Sequence, residues 1–173
     1  MRFGSILAGV CLLAAAVSAQ EMPKPGPEHE KLKEMVGTWD AVCKDMQGKA
    51  FKGVSVAKVD LGGFWVTSEF TAEIDGHRFT GRALDGYDPT KKKYVSVWVD
   101  SMSPGVMVLE GGFDTDGKVL TMTGEGPSPE GKPVRYTMVS KFKDKDTFEW
   151  SMSIPGPEGK DVVLMSAVYT RRK

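Results

Sequence analysis

The chain has 173 residues, 40% of them apolar and 27% charged, with 20 Gly, 10 Pro and a formal net charge of zero. This is the balance of one ordinary globular domain, and it excludes a disordered tail or a fibrous repeat. Lys plus Arg and Asp plus Glu both number 23, and the only basic clusters are Lys91 to Lys93 and Arg171 to Lys173, so nucleic acid is not an expected partner.

Met1 to Ala19 contains Arg2, an apolar run from Ile6 to Val17, and the small residues Val17 and Ala19. Together they predict an export signal cleaved before Gln20, and a periplasmic or extracellular product. No later stretch reaches the roughly 18 unbroken apolar residues of a membrane-spanning helix. Cys11 falls within the signal and Cys43 stands alone after it, so no internal disulfide is expected.

Gln20 to Pro27 reads as a Pro-rich flexible leader, and the domain proper is expected over residues 28–173. Glu28 to Met35 is predicted as a short helix with Leu32 and Met35 on one face, and Gly37 marks the exit from it. From Thr38 onward the hydrophobic period is two. The predicted strands run Thr38 to Lys44, Ala50 to Leu61, Phe64 to Ile74, His77 to Tyr87, Lys93 to Ser101, Val106 to Phe113, Val119 to Glu125, Val134 to Lys143, Thr147 to Ser153 and Val162 to Thr170. Turn chemistry separates them: Asp75-Gly76, Asp88 to Lys93, Thr115 to Lys118 and Pro155 to Gly159 are the clearest. The paired glycines Gly62-Gly63 and Gly111-Gly112 predict bulges, corners or tight hairpins. Gly124 to Pro133 is the best candidate for a rim loop.

Alternation separates two strand faces. Tyr94, Ser96 and Trp98 oppose Val95, Val97 and Val99, while Phe148, Trp150, Met152 and Ile154 share a face opposite Thr147, Glu149, Ser151 and Ser153. A succession of hairpin-linked strands predicts an all-β, up-and-down antiparallel barrel of about 8–10 strands with a short N-terminal helix. A sandwich is the alternative that periodicity leaves open.

Gly37, Thr38 and Trp39, which follow the helix and open the first strand, resemble the opening motif of the lipocalin and fatty-acid-binding barrels, the calycins. In those families an Arg on or after the last strand packs on the Trp, a role that the resemblance gives to Arg171 or Arg172, Arg171 being the first choice. The order Gly37-Thr38-Trp39, then Gly86-Tyr87-Asp88, Trp98-Val99-Asp100 and Tyr169-Thr170-Arg171 is similar to that of an uncharacterised bacterial secreted family with a calycin-like barrel. The resemblance spans Glu28 to Arg171 and implies a fold more than an activity. A sibling group of calycin-like barrels binds haem through a His near the C-terminal end. Here the only histidines are His29 and His77, so neither haem nor any other cofactor is expected.

No metal signature, phosphate loop or dinucleotide fingerprint occurs, and no residue is assigned a catalytic role. Trp65, Trp98 and Trp150, together with Met122, Met138 and Met152, sit on strand interiors, where they either fill the core or line a cavity. Glu69 and Arg82 are strand charges expected either to pair inside the cavity and hold a polar head group or to face water. Cys43 reads as a small buried hydrophobe rather than a nucleophile. The function expected is non-catalytic binding of a small apolar or amphipathic molecule inside the barrel. The alternatives are a structural or protein-interaction module of the cell envelope, which places aromatic residues on the outer face, and a small hydrolase or isomerase, which requires a His beside a buried Asp, Ser or Cys.

Overall fold

The computed structural model describes residues 22–128 and 131–173; the expected export signal and the start of the leader lie outside them. A six-residue helix, α1 (Pro27–Leu32), continues as a 3-10 turn over Lys33–Met35. Ten strands follow: β1 (Gly37–Asp45), β2 (Ala50–Asp60), β3 (Trp65–Ile74), β4 (His77–Asp88), β5 (Lys93–Asp100), β6 (Ser103–Phe113), β7 (Val119–Pro127), β8 (Pro133–Asp144), β9 (Thr147–Pro155) and β10 (Asp161–Arg171). Each pairs antiparallel with its sequence neighbours, and β1 pairs with β10, so the sheet closes into an up-and-down barrel and the sandwich alternative falls. Closure removes the edges that a flat ten-stranded sheet would leave unpaired.

The predicted segments survive with small shifts. The helix is shorter as an α-helix because its last turn tightens to 3-10, a common way for a helix to end. Strand β6 starts at Ser103 rather than Val106, taking in Pro104 beside the turn. Gly62 and Gly63, with φ of 73° and 89°, lie in a 3-10 link between β2 and β3 that starts where the Asp60 carboxylate accepts from the Leu61 amide at 2.8 Å. Gly111-Gly112 makes no bulge: the β6–β7 register runs through it unbroken. The register shifts fall instead between Trp98 and Asp100, Phe142 and Asp144, and Val163 and Met165, where the extra residue bends one strand.

The barrel base forms around Trp39, only 2% exposed. Its indole donates to the Met35 carbonyl at 2.9 Å, and the Arg171 guanidinium lies over the ring at 4.0 Å. Arg171 also donates to the carbonyls of Glu34 (2.9 Å), Lys145 (3.0 Å) and Val36, thereby tying the helix exit, the β8–β9 turn and the end of β10 together. Gly37 is required here on two counts: its φ is 134°, and a Cβ would displace the Arg171 guanidinium. Leu32 drops from α1 into the core, where it joins Val66, Leu109, Leu120 and Met122.

Arg171→Ala should therefore lose about 2–3 kcal/mol, the cation-π contact plus hydrogen bonds that leave backbone carbonyls unpaired. Arg171→Lys should recover little, because one ammonium cannot span the fork. Urea denaturation reads both, and an Ala variant within about 0.5 kcal/mol of the parent would remove Arg171 from the account of closure.

Candidate functional site

The barrel encloses a cavity of about 700 Å³. Aromatic rings close the end of the barrel that forms its floor, and of them Phe148 borders the cavity itself. From Trp39 the rings run to Phe148 (centroids 4.9 Å apart), Phe142 (5.4 Å), Phe113 (5.9 Å), Tyr94 (5.1 Å) and Tyr87 (5.2 Å). His29 of α1 completes this belt against Tyr87 and Phe64, and its Nδ1 accepts from the Gly26 amide at 3.0 Å. At the other end the mouth is lined by Met102, Ser103 and Pro104 of the β5–β6 turn and by the neighbouring Pro127, Ser128 and Gly131 of the β7–β8 turn. Met102 is 70% exposed there.

Two walls differ in chemistry. On β7 to β10 the lining is thioether and aromatic: Met122, Met138, Trp150, Met152 and Met165 all reach the cavity. The four methionines form one row, because Met122 pairs with Met138, Met138 with Met152, and Met152 with Met165 in the register. The bulge in β10 places both Leu164 and Met165 on the lining. On β2 to β5 the wall carries Phe51, Phe70, Phe79 and Trp98, interrupted by Ser55, Ser68, Asp85 and Ser96. Trp98 lies flat over Gly81, and its Nε1 donates to the Asp100 carboxylate at 2.9 Å. The second Asp100 oxygen accepts from the Met102 amide at 2.8 Å, so this carboxylate is occupied in holding the rim.

Of the residues singled out from sequence, Trp98, Trp150, Met122, Met138 and Met152 border the cavity. Trp65, Glu69 and Arg82 do not, and these three expectations are corrected. Along β3 the inward residues are Val66, Ser68, Phe70 and Ala72, which puts Trp65 and Glu69 on the outer face. Trp65 covers Gly86 from outside, where a Cβ would run into the indole. Glu69 does pair with Arg82, its register partner, at 2.9 Å, but in solvent, with the two side chains 44% and 71% exposed. This is the solvent-facing alternative of the two expected for the pair.

Asp85 is the residue that sequence reading missed. It shares the inward phase of β4 with Phe79, Ala83 and Tyr87, and that alternation was the available signal. Burial pushes its carboxyl up to about 6, with the Ser96 hydroxyl bond acting against the shift. Burial likewise pushes the Cys43 thiol up to about 11, so the thiolate needed for nucleophilic chemistry is scarce at neutral pH. The Tyr169 phenol is also raised, by burial first and by Cys43 second. Among the described residues no His, Lys or Arg lines the cavity, and no group of three His, Cys, Asp or Glu side chains converges on one point. His29 is taken up in the floor and His77 is exposed at the β3–β4 turn, so neither stands beside a cavity Asp, Ser or Cys.

Comparison with solved structures agrees with the topology. Rv2717c from M. tuberculosis matches with a TM-score of 0.63 at 14% identity, over 86% of this chain and 99% of its own. The S-type phycobiliprotein lyase CPES from Guillardia theta matches with a TM-score of 0.52 at 11% identity, over 86% of this chain and 99% of its own. At such identities the likeness is one of fold. No curated protein matches the chain. The family model described as "Protein of unknown function (DUF1579)" matches residues 24–171.

Proposed function

The chain belongs to the DUF1579 family, and for this member we propose non-catalytic binding of a small, largely apolar molecule inside the barrel. The observation that carries the proposal is the cavity itself. A volume of about 700 Å³ lies within the 300–1,000 Å³ range typical of small-molecule sites, and its wall is mostly apolar with a few convergent polar groups. An interior built only for stability would be filled to crystal-like density. Seven cavity methionines, Met35, Met102, Met107, Met122, Met138, Met152 and Met165, present a flexible and polarisable lining that adapts to a guest. The export-signal pattern of Met1 to Ala19 supports placing this binding protein outside the cytoplasm.

The outer face supports a second reading, an interaction module. Leu84, Val97 and Val108 stand side by side across β4 to β6, and Val99 and Val106, 42% and 52% exposed, extend the band.

Titration with Nile red, a neutral apolar dye, separates the two. The container reading expects saturable binding at one site with quenching of Trp98 and Trp150, and at least a tenfold loss in Ala83→Phe, which puts a ring into the cavity. Absence of saturable binding, or a plugged variant that binds as before while keeping its circular dichroism, overturns it and leaves the interaction module standing.

A further inference from the structure

The cavity is chemically lopsided in a way that selects among ligands. Below the rim its one carboxylate, Asp85 on β4, has Ser96 directly opposite on β5 and Ser68 diagonal to it on β3, while the far wall offers only the hydroxyls of Ser140, Tyr136 and Tyr169. Asp85 and Ser96 each lie one inward step above the floor rings Tyr87 and Tyr94, so this cluster occupies the deep end. The other cavity carboxylate, Asp100, sits at the rim with both oxygens engaged. Asp85 lines the cavity opposite Ser96, and a single hydroxyl cannot fill the several acceptor sites of a carboxylate. No cationic side chain among the described residues balances it there.

Each feature restricts the guest. A carboxylate or phosphate ligand would meet a second negative charge and no compensating Arg, Lys or His, in a setting where low polarity magnifies repulsion. A wholly apolar guest would leave the deep carboxyl without a counter-charge. Across the cavity the Met122–Met138–Met152–Met165 row, with neighbouring strands about 4.8 Å apart, offers a soft strip well suited to an aromatic or long apolar body.

We infer that the cavity takes an organic amine head first, its ammonium at the Asp85 carboxylate with the Ser68 and Ser96 hydroxyls around it, and its apolar body along the methionine row toward the mouth. The inference rests on the container reading and gives it a ligand class. An N–H donor satisfies the free acceptor capacity of Asp85, and its charge does for the carboxylate what no residue of the lining does.

Three probes with the same body and different heads provide the test: 4-phenylbutylamine, 4-phenylbutanol and 4-phenylbutyrate, each displacing Nile red from the full-length protein at about pH 8, where an acid with the raised pKa of Asp85 is ionised. The amine should bind at least tenfold more tightly than the alcohol, and the acid most weakly. Asp85→Asn should abolish the amine preference while still binding Nile red saturably, and Asp100→Asn should keep the preference, because that carboxylate serves the rim. An acid that binds as well as the amine overturns the inference, as does an amine preference that survives Asp85→Asn or is lost equally in Asp100→Asn. In each of these outcomes Nile red still binds. Failure of Nile red itself is the separate failure of the container reading.

Discussion

Asp85→Asn should make the protein more stable at about pH 8, by about 3 kcal/mol, and leave it unchanged below about pH 4. The sign follows from the direction of the shift. The carboxyl is pushed up to about 6 in the folded protein from its ordinary 3.8, so the native state holds the proton more tightly than the unfolded chain. Protonated Asp85 therefore contributes stability that is fully present below the unfolded value and is lost as pH rises through 6. Each pKa unit corresponds to about 1.4 kcal/mol, and the roughly two-unit shift gives the stated figure. Asn keeps the shape and accepts from Ser96 but never ionises. Urea midpoints measured across the pH range should thus diverge between parent and variant from about pH 4 and reach their full separation above about pH 7. The exposed carboxylates Asp40, Glu110 and Asp114 are shifted the other way by Arg172, by Lys91 and by backbone amides respectively, but both proteins contain them and the comparison cancels them. Parallel curves would show that the cavity hydrates Asp85 as bulk water does. A divergence would mean that the barrel tolerates a destabilising acid at the one position where an amine would use it, the usual relation between stability and a binding site.

Gly111→Ala should cost at least about 3 kcal/mol, while Gly112→Ala next to it should stay within about 0.5 kcal/mol of the parent. At Gly111 a Cβ would collide with the Thr121 carbonyl oxygen and stand 2.7 Å from the Met122 Cα, and these are backbone atoms that no rotamer change can move aside. The β6–β7 ladder would have to part just where it positions Met122, the first thioether of the cavity row. At Gly112, which faces outward and is exposed, an added Cβ meets nothing within 4 Å. Denaturant midpoints of the two variants decide the matter, and equal effects would mean that glycine content rather than close backbone approach accounts for the pair. Gly124 faces the same constraint from the Val108 carbonyl, so the inner surface of β6 and β7 is smooth for a single repeated reason.

That pair of glycines also illustrates how far local pattern carries. From sequence they read as a bulge or corner, because a glycine in a strand records only that a side chain is unwelcome. Whether backbone, ring or solvent excludes it depends on the neighbouring strand. The same holds for Trp65 and Trp98. Both are strand tryptophans and both lie on glycines of a neighbouring strand, Gly86 and Gly81, yet one seals the outside of the barrel and the other lines its interior. Alternation within β3 already set Trp65 and Glu69 on the face opposite Val66 and Phe70. What alternation lacks is an absolute sense of inside.

The sequence by itself determined the element order and the hairpin connectivity, because these depend on turn chemistry and period, both local to the chain; the meeting of Trp39 with Arg171 came from the family resemblance. The tertiary structure decided which face of each strand is enclosed, that Glu69 and Arg82 meet in water, that four methionines fall in one row, and that Asp85 sits at the bottom of the cavity without a counter-charge. These are properties of closure. Strand curvature picks the inner face, register sums over successive pairings, and the volume left empty depends on every inward side chain at once, so no single stretch of sequence contains any of them.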